Sequence, residues 1–268
     1  MIESISKENR LIGVLHRVLL KNIPNEQNSI QRRVDQFLEK YCTYTHLSPS
    51  EVVSIVNRFQ LRYSEDMKVF SDTGKYPYEL NTKEFPLSRE EYDVVLICSI
   101  LTAKHRHKIV SMIDAVELKG QSVAIIGVGS GVELLFINAH GENIDAYDLS
   151  ISKFAKLFFG KVNFYEKKFE FNKNQYDTVF AIEILEHIEN PIALLKDIYC
   201  SLNNKGRCVF TVTTNVPQFD HLYDFNIKNF VIELKLMGFE ILECTTIVHD
   251  LNFNKIKASN TFFIVRKI

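Results

Sequence analysis

Val123-Ala124-Ile125-Ile126-Gly127-Val128-Gly129-Ser130-Gly131-Val132-Glu133-Leu134 decides the fold of this chain. Its apolar, β-branched start reads as a buried strand. Three glycines at every second position end that strand, and an apolar helical pattern follows. A glycine lets backbone turn, or approach a ligand, where a Cβ would clash. The dinucleotide fingerprint Gly-x-Gly-x-x-Gly would put its last glycine at position 132, which is Val. The spacing therefore points to an adenosine-containing ligand other than a nicotinamide dinucleotide.

The next acidic position supports that reading. Ile144-Asp145-Ala146-Tyr147-Asp148-Leu149-Ser150 alternates as a second strand, about one βαβ unit after the first. A carboxylate at the strand's tip, Asp148, can accept hydrogen bonds from both hydroxyls of a ribose. It can also cap a helix starting near Ile151. Beside a glycine loop, the ribose role is the stronger of the two.

From these pieces outward the chain resembles the class I S-adenosylmethionine-dependent methyltransferases, over residues 119–268. The matching stretches are Ala124-Ile125-Ile126-Gly127-Val128-Gly129-Ser130-Gly131 and Ala146-Tyr147-Asp148-Leu149-Ser150. Next come Tyr176-Asp177-Thr178-Val179-Phe180-Ala181-Ile182-Glu183-Ile184-Leu185-Glu186-His187 and Asn190-Pro191. Leu202-Asn203-Asn204-Lys205-Gly206-Arg207-Cys208-Val209 and Leu236-Met237-Gly238-Phe239-Glu240 complete the set. The phrase Leu185-Glu186-His187, followed by Asn190-Pro191 and a helix, is similar to the small-molecule branch. The resemblance implies a seven-stranded doubly wound sheet in the order 3-2-1-4-5-7-6 with an antiparallel last strand. It implies S-adenosylmethionine as cofactor, held by Gly127, Val128, Gly129, Gly131, Asp148, Leu149, Ile182 and Glu183. The amide-methylating branch would carry Asn/Asp-Pro-Pro-Tyr/Phe after the fourth strand. Here that place holds Ile182-Glu183-Ile184-Leu185, which argues against nucleobase or glutamine-amide acceptors.

The remaining α/β pattern agrees. Strands are expected at 162–165, 177–182 and 207–213, with helices at about 152–159 and 192–202. Asn190 and Pro191 cap the second of these, and Asn204-Lys205-Gly206 ends it. A helix over 227–237 stops at Gly238. Strands 239–247 and 261–267 have no helix between them and should pair antiparallel.

Residues 1–118 read differently, as a helical cap preceding the cofactor domain at 119–268. Leu11, Val14, Leu15, Val18 and Leu19 form one apolar stripe. Ile30, Val34, Phe37, Leu38 and Tyr41 form a second; Val52, Val56, Phe59, Tyr63, Met67 and Phe70 form a third. Ser48-Pro49-Ser50-Glu51 and Ser88-Arg89-Glu90-Glu91 are capping boxes. The helix after the second is apolar nearly all round, so it should be deeply buried. His105 and His107, among Lys104, Arg106 and Lys108, read as a solvated basic face. Between helices, the stretch 73–86 is a loop with Tyr76 and Tyr78. These aromatics either anchor the loop or close it over a substrate pocket.

Composition sets the remaining bounds. With 268 residues the chain can bury a sizeable core. A net charge of −1, with interspersed signs, offers no field for nucleic acid or an anionic membrane. The five cysteines are scattered without a Cys-x-x-Cys pair and read as reduced. The start Met-Ile-Glu-Ser lacks a signal-peptide pattern, and no apolar run reaches membrane-spanning length. A cytoplasmic enzyme is expected, with oligomeric state open.

The chemistry should gather at the strands' C-terminal tips. Methyl transfer from a sulfonium needs alignment above all, and a base where the nucleophile must lose a proton. Glu186 and His187 follow the fourth strand. His187 can take a proton or order its loop. After the fifth strand, Asp220, His221 and Tyr223 lie in a proline-marked loop and are expected to contact substrate, with His221 also a catalytic candidate. His187, His221 and His249 are capable of binding a metal, but their spacing is not diagnostic and no metal ligands are assigned. The leading expectation is methylation of a small metabolite. Two readings stay open beside it: transfer or cyclisation of the aminocarboxypropyl group, and a non-catalytic cofactor-binding subunit. A nicotinamide-dependent reductase is the weakest rival.

Overall fold

A computed structural model describes residues 1–22, 28–77, 87–118, 122–137, 143–171, 175–249 and 257–268. Six helices come first: α1 (Ile2–Glu8), α2 (Arg10–Asn22), α3 (Asn28–Thr45), α4 (Pro49–Thr73), α5 (Arg89–Thr102) and α6 (Lys104–Asp114). Both capping boxes form. The Ser48 and Ser88 hydroxyls accept from the backbone N–H of Glu51 and Glu91, whose carboxylates accept in return from the serine N–H. The α5 residues Val94, Ile97, Ile100 and Leu101 are fully buried, as their all-round apolar pattern requires.

The sheet follows: β1 (Ser122–Ile126), β2 (Asn143–Asp148), β3 (Asn163–Glu166), β4 (Tyr176–Ala181), β5 (Leu202–Thr214), β6 (Phe239–Val248) and β7 (Ser259–Lys267). Helices α7 (Lys153–Phe158), α8 (Pro191–Ser201) and α9 (Ile227–Leu236) intervene. The strand order is β3-β2-β1-β4-β5-β7-β6, with β7 antiparallel to both neighbours. The order and the antiparallel strand match the expectation. Asn190 caps α8 through Ala193 N–H, with Pro191 at the first helical position.

Three local expectations change. Among the described residues, the pattern after the glycine loop gives a 3-10 turn at Val132–Leu135 and no α-helix. Strand β5 starts at Leu202, directly after α8, not at residue 207. Its pairing with β4 jumps from Leu202 opposite Tyr176 to Arg207 opposite Thr178, and Lys205 in that jump has a left-handed φ of 61°. The 104–108 segment is no solvated face: Arg106 is 6% exposed and His107 1%.

The sheet's alternation sorts its core. Val123, Ile125, Phe180, Val209 and Phe262 face one cluster, which extends through α3, α5 and α6 to Ile2 and Ile5. Ala124, Ile126, Val179, Ala181, Phe210 and Phe263 face the other, built on α8 and α9. The N-terminal helices therefore form one of the two layers covering the sheet. Helix α3 covers the short 3-10 turn: Arg33 Nη1 donates to the Leu135 carbonyl at 3.2 Å and its guanidinium lies 4.7 Å from the Phe136 ring. Phe37 of the same helix meets Phe154 and Phe158 of α7 edge-on, at 5.2 and 5.1 Å.

Among the described residues no helix is long and apolar enough to cross a membrane. Cys42, Cys98 and Cys208 are buried, Cys200 and Cys244 exposed, and all five are free thiols.

A chain starting at Glu117 would leave most of one sheet face uncovered, with only α7 remaining on it, so it should aggregate or lose its cooperative unfolding transition. Urea denaturation followed by circular dichroism tests this. A soluble truncate with a sharp transition would show that the helices are dispensable.

Candidate active site

Three backbone exits from the sheet build the site. At the first, after β1, the three glycines separate by what surrounds them. A Cβ on Gly127 would sit 2.8 Å from Ile184 Cγ1, and one on Gly131 would sit 2.7 Å from Ala155 Cβ. Those two glycines permit close packing of protein on protein. Gly129 differs: with φ +46°, its added Cβ would meet the end of a flexible side chain, Arg89 Nη2, at 3.0 Å, and Asp148 Oδ2 and the Gly127 carbonyl no nearer than 4.0 Å. Its backbone is open to the cavity, which suits a ligand lying against it.

Asp148 ends β2 beside this loop. Its Oδ2 accepts from Gly129 N–H at 2.8 Å and its Oδ1 from Ser150 N–H at 3.0 Å. Each carboxylate oxygen keeps a lone pair, so two hydroxyl donors still fit. The helix cap falls instead to Ser152, which accepts from Ala155 N–H.

The second exit follows β4. Glu183 takes a left-handed φ of 51°, a strained conformation for a residue with a Cβ. Its carboxylate is fully engaged. Oε1 accepts from Thr211 Oγ1 at 2.6 Å and Asn260 Nδ2 at 2.7 Å, while Oε2 pairs with Arg106 Nη1 at 3.3 Å. The other end of Arg106, Nη2, reaches Glu133 at 2.7 Å. Burial disfavours the guanidinium charge, but Glu183 and Glu133 outweigh it and hold its pKa above the usual value.

One turn further, Glu186 is 1% exposed and His187 donates through Nδ1 to the Asp220 carbonyl, 3.1 Å away. The Asp220 carboxylate lies 3.4 Å from the same nitrogen.

The third exit, after β5, folds back onto the second. Leu222 and Tyr223 both donate their N–H to the Glu186 carbonyl, at 2.7 and 3.1 Å. This brings the His221 ring to 4.8 Å from that of His187, edge-on. Burial pushes Glu186 well above the usual carboxylate range, with Glu183 adding to it. Burial works against charge on His187, yet Asp220 and Glu186 outweigh it and raise its pKa. Burial, then His187, drives His221 well below its ordinary value. The three groups thus differ in proton affinity although they touch one another.

A cavity of about 740 Å³ joins these exits. Its wall includes Gly127, Gly129, Asp148, Glu183, Glu186, His187, Asp220 and His221 among the expected residues. From β2 to β5 it crosses three strand spacings, roughly 14 Å. Its helical side is formed by α2, α4 and α5 through Leu15, Leu19, Val56, Phe59, Tyr63 and Tyr92.

Other expected residues lie elsewhere. Val128 and Ile182 are buried and, like Gly131, are not among the lining residues. Leu149 is 70% exposed and off the wall, because it points outward beyond the end of β2. Tyr223 is also off the wall, its ring tilted at 50° against that of Phe225 with centroids 4.7 Å apart. Tyr76 is buried against Phe70 and donates to Asp224 Oδ1 at 3.0 Å, which makes it an anchor of the loop. Tyr78 lies outside the described residues.

Sequence reasoning missed Arg106, Arg89, Gln218, His105 and Asn260. Arg106 hid in a run of basic residues, although Glu133 and Glu183 were visible as acids needing a partner. Arg89 read only as part of a capping box, yet its Nη2 is buried without a hydrogen-bond partner beside Gly129. His105 stacks on His249 at 3.7 Å in the cavity wall, and Gln218 donates to both Tyr92 and Asp220. No local pattern marks such contacts.

Replacing Arg106 by Met should destabilise the protein by about 3–5 kcal/mol, because two carboxylates lose their shared counter-charge. The shift of the urea midpoint measures it. A midpoint unchanged from the parent protein would mean that the bridge contributes nothing.

Comparison with known proteins agrees with this geometry. The pyocyanin biosynthetic protein PhzM is similar in structure, with 15% identity, a TM-score of 0.54, and coverage of 79% of this chain and 72% of that one. Phosphoethanolamine N-methyltransferase 2 of Haemonchus contortus, solved with phosphomonomethylethanolamine and S-adenosylhomocysteine, gives 15% identity, a TM-score of 0.51, and coverage of 69% and 62%. The [4+2]-cyclase SpnF gives 14% identity, a TM-score of 0.50, and coverage of 60% and 80%. At these identities the likeness is one of fold. No curated protein sequence matches the chain. A family model described as a methyltransferase domain does match, over residues 106–240, half of the chain. The chain therefore belongs to the methyltransferase-domain family and is a class I S-adenosylmethionine-dependent methyltransferase.

Proposed function

We propose that this enzyme methylates a small organic acceptor bound between the N-terminal helices and the Glu186–His187–His221 group. The observation that carries the reading is the single cavity joining the Gly129–Asp148 loop to those three side chains. Its size is that of a small-molecule site. The donor supplies a methyl carbon already activated on a sulfonium, so the protein's work is alignment, desolvation and handling of the acceptor's proton.

We assign the donor to the β1–β2 end. The open backbone of Gly129 and the free lone pairs of Asp148 suit the cofactor's ribose, and Arg89 offers an unpaired N–H alongside. The acceptor then takes the β4–β5 end. Phe59, Tyr63 and Tyr92 suit an apolar or aromatic body, and Glu186, His187 and His221 suit its single reacting polar atom. Gln218, bridging Tyr92 and Asp220, fastens the helical wall to this end. In this reading residues 1–118 are the substrate-covering part and 119–268 the donor-binding part. A cytoplasmic setting and independence from nucleic acid and membranes go with the near-neutral charge.

The same fold carries a [4+2]-cyclase, so fold does not fix the bond that is made. Product analysis does. Incubation with methyl-labelled S-adenosylmethionine and a metabolite extract should yield adenosylhomocysteine and a labelled small molecule. Methylthioadenosine in its place would move the assignment to aminocarboxypropyl transfer.

Two mutant sets separate the ends. Gly129→Val should abolish adenosylhomocysteine binding, and Asp148→Ala should weaken it by about 1–3 kcal/mol. Calorimetry reads both, and unchanged dissociation constants would remove the donor assignment. His187→Ala and His221→Ala should instead lower turnover by about 10²–10⁴ with cofactor affinity retained. Normal rates in both would leave alignment alone as the mechanism.

A further inference from the structure

The Glu186–His187–His221 group has the geometry of a metal site. A carboxylate oxygen and one nitrogen of each ring all lie within 4.8 Å of one another. Two imidazoles sharing one ion, with metal–nitrogen distances of about 2.1 Å, would place their ring centroids roughly 5 Å apart. The observed centroid separation is 4.8 Å, with the planes at 86°, so the rings do not stack.

Two buried atoms in the group lack any hydrogen-bond partner: Glu186 Oε2 and His221 Nδ1. Their residues are 1% and 4% exposed. Leaving such atoms unpaired is costly, and one cation between them satisfies both. Glu183 does not compete for that cation, since Arg106, Thr211 and Asn260 already occupy its oxygens.

The surroundings fix the ligands in place. His187 engages Asp220 through Nδ1, at 3.1 Å from the carbonyl and 3.4 Å from the carboxylate, which leaves Nε2 to ligate. Metal-bound histidines characteristically have their second nitrogen held in this way. The Leu222 and Tyr223 N–H bonds to the Glu186 carbonyl tie the His221 segment to the Glu186 segment. The site therefore does not have to be assembled from two mobile loops.

We propose that Glu186, His187 and His221 bind one divalent first-row transition-metal ion, with coordination positions left open toward the cavity. Two imidazoles and one carboxylate favour zinc, iron, cobalt or nickel over calcium or magnesium, which prefer all-oxygen sets. Three protein ligands are the number found in catalytic sites, where a fourth position takes water or substrate. The metal site stands independently of the acceptor assignment; its role in catalysis rests on it. In that role an acceptor hydroxyl on the ion loses its proton to solvent. Its oxygen then bonds to the methyl carbon while the carbon–sulfur bond breaks, leaving a neutral thioether.

The test uses full-length, tag-free protein stripped with a chelator and dialysed, then titrated with Co²⁺. One equivalent should bind, with visible d–d absorption that Zn²⁺ displaces. Glu186→Gln and His221→Ala should each weaken Co²⁺ binding by about 10–100-fold, and Asp220→Asn by about tenfold, with adenosylhomocysteine affinity kept as the control for folding. Absence of the cobalt spectrum in the parent protein overturns the site even if no variant folds. Retention of that spectrum at parental affinity in both ligand variants also overturns it. The titration contains neither methyl donor nor acceptor, so its failure leaves the methyl-transfer reading intact. Conversely, failure to find a labelled product leaves the metal site standing.

Discussion

A single buried guanidinium holds the site together. Arg106, from the last N-terminal helix, spans from Glu133 behind the glycine loop to Glu183 at the tip of β4. A charge this deep is tolerable only with close counter-charges and hydrogen bonds, and it has two carboxylates together with Ser99 Oγ. The consequence is geometric. The 3-10 turn after the glycine loop, the strand tip beneath the cavity and the helical layer cannot move apart without exposing an unpaired ion. Glu183 can remain in its strained left-handed conformation because Arg106, Thr211 and Asn260 all hold its carboxylate.

The helical layer is structural before it is functional. Among the described residues β1 is followed by a 3-10 turn and not by an α-helix that would cover its side of the sheet. Helix α3 fills that place, with Arg33 on Leu135 and Phe37 among the rings of α7. The same layer then supplies the apolar wall of the cavity. Covering the sheet and shaping the cavity are one task for these helices.

At the opposite end of the cavity, the geometry depends on a return loop. The 215–225 segment is anchored by Asp224, which accepts from Asn215 N–H and Tyr76 Oη, and by the two N–H bonds to Glu186. Those anchors set His221 against His187. Groups with opposed pKa shifts thus share one small corner, where burial strengthens electrostatic effects.

Local sequence was enough for most strands, while their order was implied by the family resemblance. The β-branched run before Gly127, the alternation around Ala146 and the two β-type runs at 239–247 and 261–267 specify strands through side-chain periodicity alone. Serine, proline and glutamate spacing likewise specified the capped starts of α4 and α5, since capping is a contact between residues three apart. Gly129 and Asp148 were legible because a loop and a strand tip in one βαβ unit are neighbours by construction. Contacts between distant segments were not legible. Arg106 looks like a surface cation until Glu133 and Glu183 are brought to it from 27 and 77 positions away. Tyr76 looks like a lid until Asp224 shows it to be an anchor. Glu186, His187 and His221 could be named as chemical groups from the sequence, but whether they touch depends on hydrogen bonds between two sheet exits 34 residues apart. Periodicity records what each residue must face, whereas only the folded chain decides which distant partner it meets there.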